Sequence, residues 1–163
     1  MFKYAADRLP VAIILLLSVV DFSLYFLVEN VWLLALFWIV MIVPKGKICG
    51  WNHHHQHTLT FKQRGLNRIL EFFYALHTGV TTNLWMLHHV LGHHPNFMDQ
   101  TKDESRWTTD AGEKMGELEY TFSVAKTAYS RGYEVGERYP KLQQIYVLYT
   151  TITFFAVAVL TYF

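Results

Sequence analysis

All nine histidines of this 163-residue chain lie between His53 and His94. The first cluster reads His53-His54-His55-Gln56-His57, the second His88-His89-Val90-Leu91-Gly92-His93-His94, and His77 stands alone between them. Neutral imidazole is the commonest metal ligand and suits iron, copper and zinc. His53 and His57 are four apart in sequence, as are His89 and His93. On an α-helix that spacing puts both rings on one face, ready for one ion. His94 then turns about 100° from its neighbour and points toward a second ion. The pattern predicts a two-metal site built on helices. His54, His55 and His88 read as helix-surface or outer-sphere residues, and His77, set among apolar neighbours, as a hydrogen-bonded core histidine.

The histidines leave the metal open. Cys49 is the sole cysteine, so there is neither a disulfide framework nor a thiolate zinc cluster. No His-Glu-x-x-His zinc-protease pattern occurs. A metal-handling membrane protein and a pH-sensitive histidine patch are the non-enzymatic readings of the same residues.

The elements that must position these side chains are helices. Over half of the chain is hydrophobic (52%), mean hydropathy is +0.16, and the apolar residues come in blocks. Residues 10–28 are long enough to cross a hydrocarbon core of about 30 Å. A shorter block, 31–43, ends at Pro44-Lys45-Gly46-Lys47, and 142–163 forms a third. The fold class expected is all-α: an integral membrane helical bundle with a cytoplasmic, histidine-rich helical cap. The chain reads as one domain, 1–163. Residues 10–43 form a transmembrane hairpin, 51–141 a cytoplasmic or interfacial metal-binding region, and 142–163 a third span. Lys3 and Arg8 precede the hairpin and Lys45 and Lys47 follow it, which places both ends and the metal site on the cytoplasmic face. No small-x-small cleavage site follows the first block, against a signal peptide.

Asp21 inside the first block is costly in lipid and calls for a partner on a neighbouring helix. Residues 66–91 mix apolar and polar side chains, as an interfacial helix does. Met115, Leu118, Phe122, Ala125 and Tyr129 recur at helical spacing and predict an apolar stripe that packs in the protein or rests on the membrane surface or the metal region, with Asp110 and Glu113 capping its start. The near-neutral net charge of +1 gives no support to nucleic-acid binding.

His53-x-x-x-His57 followed by His89-x-x-Gly92-His93-His94 resembles the first two histidine boxes of the membrane fatty acid desaturase and alkane hydroxylase superfamily. Leu66-Asn67-Arg68-x-x-Glu71 and the 99–107 segment resemble bacterial desaturase-like members. The close resemblance covers about 51–107, and the flanks match in hydropathy. It implies two non-haem irons with O2 as co-substrate, ligated by His53, His57, His89, His93 and His94. His55 and His88 are possible additional ligands or supports, and Asp99 and Asp103 are candidate supporting carboxylates. The reaction implied is desaturation of a lipid acyl chain, with hydroxylation of an acyl chain or alkane on the same scaffold as the alternative. Electrons would come from a separate ferredoxin, rubredoxin or cytochrome b5 type protein. Members carry a third histidine box, and no histidine follows His94. The chain is therefore expected to be the N-terminal part of a longer enzyme, inactive and poor in iron by itself.

Overall fold

The computed structural model describes residues 1–162, and their secondary structure is helical. Five long helices are α1 (Arg8–Leu27), α2 (Val31–His57), α3 (Arg64–Thr78), α4 (Glu117–Gly136) and α5 (Pro140–Tyr162). A π-helix spans Met86–His93, and short 3-10 turns span Ala5–Asp7 and His94–Asn96. Three helical stretches, Ala5–Leu27, Val31–His57 and Pro140–Tyr162, are long and apolar enough to cross a membrane. The chain divides into two compact units. One is Met1–Thr81 with the stretch from Thr153 onward, and the other is Thr82–Ile152.

In the first unit, α2 corrects the expected end of the second span. The helix does not stop at Pro44 but runs on to His57. Proline removes one backbone hydrogen bond, yet membrane helices tolerate it where neighbours re-satisfy the freed groups. The start is fixed by Asn30, whose Oδ1 accepts from the Trp32 and Leu33 amides at 3.0 and 3.1 Å. At about 1.5 Å per residue, α2 is about 40 Å long, some 10 Å more than a hydrocarbon core. The last turns of the helix, with Lys45, Lys47, Asn52 and the histidines, are its polar end.

Helix α3 buries Asn67, Leu70, Glu71, Tyr74 and Ala75, the spacing of one helical face. Leu70 and Tyr74 join Val11, Ile14, Ile48 and Phe61 in the core of this unit. Asn67 closes the turn between α2 and α3: its Oδ1 accepts from the Phe61 amide at 2.8 Å, and its Nδ2 donates to the Phe61 carbonyl at 2.9 Å. The N-terminus clamps the same turn, with Lys3 donating to the Thr60 carbonyl and Lys62 to that of Met1, each at 2.9 Å. The expected interfacial helix over 66–91 is thus broken. Gly79, at φ +72°, ends α3 in the left-handed region that favours glycine, and Asn83 follows at φ +62°.

In the second unit, α4 begins at Gly116, whose amide donates to Glu119 Oε2 at 3.3 Å. Asp110 instead lies in the preceding loop, with a fully solvated side chain, and caps nothing. The apolar stripe is not packed at its start. Leu118 and Phe122 are 76% and 72% exposed, and the buried face is Arg131, Gly132, Val135 and Gly136. The packed side follows the small residues, because they let the π-helix approach. A Cβ on Gly132 would stand 2.9 Å from Leu84 Cδ1, and one on Gly92 would stand 2.4 Å from Glu104 Cγ and 3.1 Å from Val135 Cγ2. Glycine in the second histidine cluster therefore answers a packing demand as well as any chemical one.

Candidate metal centre

The end of α2 presents the first cluster. His53 Nε2 and His57 Nε2 lie 3.0 Å apart, with ring centroids at 5.0 Å, as the i, i+4 spacing predicts. His54 points to solvent. His55 turns the other way, into the core, and is fully buried. Its Nδ1 accepts from the Thr60 amide at 3.3 Å and also meets Thr60 Oγ1 at 2.9 Å. Its Nε2 lies 3.2 Å from Glu71 Oε1, so the proton sits on Nε2 and both ring nitrogens are engaged by protein. Glu71 Oε2 in turn accepts from Arg68 Nη1 at 2.6 Å. The Asn67-Arg68-x-x-Glu71 motif thus braces the first cluster: Asn67 fixes the turn beyond it and Glu71 holds the buried histidine in its midst.

The second cluster departs from α-helical geometry. The His94 amide donates to the His89 carbonyl, an i→i+5 bond of the π-type turn. This wider turn overrides the expectation that His94 points about 100° away. His89 and His94 ring centroids are 4.5 Å apart, closer than the 5.2 Å between His89 and His93. Single π-turns are frequent at functional sites, and here one gathers three imidazoles.

Asp103 supports this group. It is fully buried, and its Oδ1 accepts from His93 Nδ1 and from the Ser105 amide, both at 2.7 Å. A carboxylate on Nδ1 fixes the tautomer that leaves Nε2 with its lone pair, as carboxylate–histidine–metal triads do. Asp99 differs. It sits in a solvated turn, where hydrogen bonds from the Thr101 hydroxyl and amide hold its carboxyl below the usual range.

His88 is buried on the opposite side of the π-helix. Burial first, then the nearby Arg131 charge and His93, push its imidazole down to about 4. His88 therefore stays neutral at physiological pH. Because its ordinary value is 6.5, the unfolded chain takes up the proton first as the pH falls. Stability is expected to drop by roughly 3 kcal/mol between about pH 6.5 and pH 4. Thermal melts across that window check this, and His88→Phe should flatten the dependence.

Each unit thus presents converging imidazoles by itself. Imidazole nitrogens backed by a buried carboxylate fit iron by donor chemistry, and His88 Nε2 and Asp103 Oδ2 remain buried without a protein hydrogen bond beside the second group. Sequence reasoning passed over Glu71 as a supporting residue, although its place on the buried face with Asn67, Leu70 and Tyr74 was a readable signal. Arg131, whose guanidinium donates to the Glu104 carbonyl, had no such signal, since a buried arginine on a polar helix looks like a solvated one.

Apolar spans and histidine clusters of this spacing define a membrane-embedded histidine-box protein. The fatty acid desaturase family model matches residues 30–163, and the chain belongs to that family. The match begins before the second span and so extends well beyond the 51–107 core of the sequence resemblance. Neither the curated proteins nor the solved structures include a match. The family and the three apolar helices make the chain an integral membrane protein of the desaturase-type oxidoreductases.

Proposed function

We propose that this chain is an O2-dependent fatty acyl desaturase acting on a lipid acyl chain, with His53, His57, His89, His93 and His94 as ligands of a di-iron centre on the cytoplasmic side. The observation that carries the reading is the π-turn that brings His89, His93 and His94 together, backed by the Asp103–His93 bond. Bound iron supplies the oxidising power to remove hydrogen from an unactivated methylene. The net reaction takes two electrons from the acyl chain and two from a donor protein, and leaves O2 as two waters. Asp103 holds the His93 proton on Nδ1. Glu71 and Thr60 hold His55 in its tautomer, and so fix the pitch of the α2 turn that carries His53 and His57. The electron donor is a separate protein of ferredoxin, rubredoxin or cytochrome b5 type.

The test is product analysis by mass spectrometry after supplying the iron-loaded chain with acyl lipid, O2 and a reducing donor. Loss of two hydrogens supports desaturation. Gain of one oxygen moves the reading to a hydroxylase on the same scaffold. Metal binding with no O2 consumption would favour a metal-handling protein.

A further inference from the structure

The first unit collects unpaired cations at one end. Its carboxylate side chains are Asp7, Asp21, Glu29 and Glu71. Asp21 is taken by Lys45 at 2.7 Å and by His77 at 3.3 Å, and Glu71 by Arg68 at 2.6 Å. Glu29 lies in the loop between α1 and α2, at the far end of that hairpin. Asp7 is half-buried, with its Oδ2 out of contact with solvent. Lys3, Arg8, Lys47, Lys62 and Arg64 are all exposed. Among the described residues none of these five forms an ion pair.

The fold gathers four of them from two places in the chain. Phe2 and Phe61 form an antiparallel bridge, flanked by the Lys3 amide on the Thr60 carbonyl and the Lys62 amide on that of Met1. The two rings meet at 4.8 Å, and Phe61 enters the core. Lys3 and Lys62 are thereby held on either side of a narrow pair, of the kind whose Cα atoms lie about 4.5 Å apart. Arg64 follows two residues on, as the first residue of α3, and Arg8 opens α1. Like charges brought together repel one another and call for an anion. Directly beyond Arg8 the chain turns apolar. Leu9, Leu16 and Val19 fall at helical spacing on one face of α1, and all three are exposed. The basic edge and this apolar face adjoin.

We propose that this edge holds the phosphate of an anionic phospholipid, its oxygens accepting from Lys3, Arg8, Lys62 and Arg64 and its acyl chains lying on the exposed face of α1. Clusters of four or more Lys and Arg beside a membrane span attract anionic lipid, each cation near the surface raising affinity about fivefold. Arginine adds paired N–H donors that match phosphate oxygens. A phospholipid brings the charge and the apolar cover together, in a bilayer where it is already concentrated. A soluble phosphate or an acidic protein brings the charge alone. The site is independent of the iron reading.

The experiment adds phosphatidylglycerol or phosphatidylcholine with the same acyl chains to the full chain in a non-ionic detergent and follows one-to-one adducts by native mass spectrometry. Phosphatidylglycerol is expected to bind at least about tenfold more tightly. The Lys3→Gln/Lys62→Gln pair should weaken it by about 30-fold, the share of two cations, and Arg8→Gln/Arg64→Gln should do likewise. Lys114→Gln/Lys126→Gln removes the same charge from exposed positions of the second unit and should leave binding as it was. Melting curves recorded without lipid check that each variant is folded. Equal binding of the two lipids, an equal loss in the Lys114/Lys126 pair, displacement by glycerol 3-phosphate at the concentration of the lipid, or full binding in both folded variants would overturn the proposal. Loss of lipid selectivity together with retention on immobilised ferredoxin through the same four cations would overturn it in favour of an acidic protein partner.

Discussion

His89→Ala and His93→Ala are each expected to lower iron affinity by more than about 100-fold and to abolish turnover. Removing an outer partner of a metal ligand typically costs 10–100-fold, and removing the ligand itself should cost more. The two variants should be equivalent, because the π-turn places both rings against His94 within one cluster: His93 and His94 centroids are 5.6 Å apart and those of His89 and His94 4.5 Å. Iron per chain after gel filtration, measured by plasma emission, gives the first readout, and oxygen uptake gives the second. His54→Ala is the control. That ring is solvent-exposed on the same helix that carries His53 and His57, and its loss should leave iron content as it was. If His89→Ala and His93→Ala retain iron at the wild-type level, the ligand assignment is wrong and the pH-sensitive patch becomes the better account of the second cluster.

Much of this was readable from side-chain spacing, and the failures have a common origin. The pairing of His53 with His57 follows directly from α-helical periodicity, because α2 stays α-helical to His57. The same rule misplaces His94, since it presumes 3.6 residues per turn where the backbone bonds i→i+5. Nothing in His-His-Val-Leu-Gly-His-His announces a π-turn. The glycine in its middle becomes intelligible only once Glu104 and Val135 are seen against it. Pro44 looked like the end of a span because proline ends most soluble helices, yet α2 continues through it in a segment with the hydropathy of a membrane span. The stripe through Leu118 and Phe122 is periodic, but the part of it that carries these two residues packs on no protein neighbour. Hydrophobic periodicity identifies an amphipathic helix without telling which face its protein neighbours take, and here the close-packed face is the one with Gly132 and Gly136. Asp21, by contrast, was legible as a group in need of a partner, and Lys45 and His77 supply two.

The buried Glu71 carries the largest expected effect on stability. Its carboxylate, 2% exposed, accepts from Arg68 at 2.6 Å and meets His55 Nε2 at 3.2 Å. Breaking a buried, hydrogen-bonded pair by removing one partner typically costs about 3–5 kcal/mol, since the other polar group stays in the dry interior. Glu71→Ala is therefore expected to destabilise the chain by that amount, seen as a lowered melting temperature in detergent. His55 bears the consequence, because its Nε2–H has no water to turn to at 0% exposure, whereas the Arg68 side chain is 29% exposed and can rotate outward. Replacing both members by apolar groups, as in His55→Phe with Glu71→Leu, should recover most of the loss, because no buried polar atom is then left unpaired. The double variant also separates two roles for His55. If His55 only braces the end of α2, the stabilised double variant should bind iron as the wild type does. If stability returns and iron does not, His55 acts on the metal centre itself, and the assignment of both its nitrogens to Thr60 and Glu71 fails in the metal-bound state.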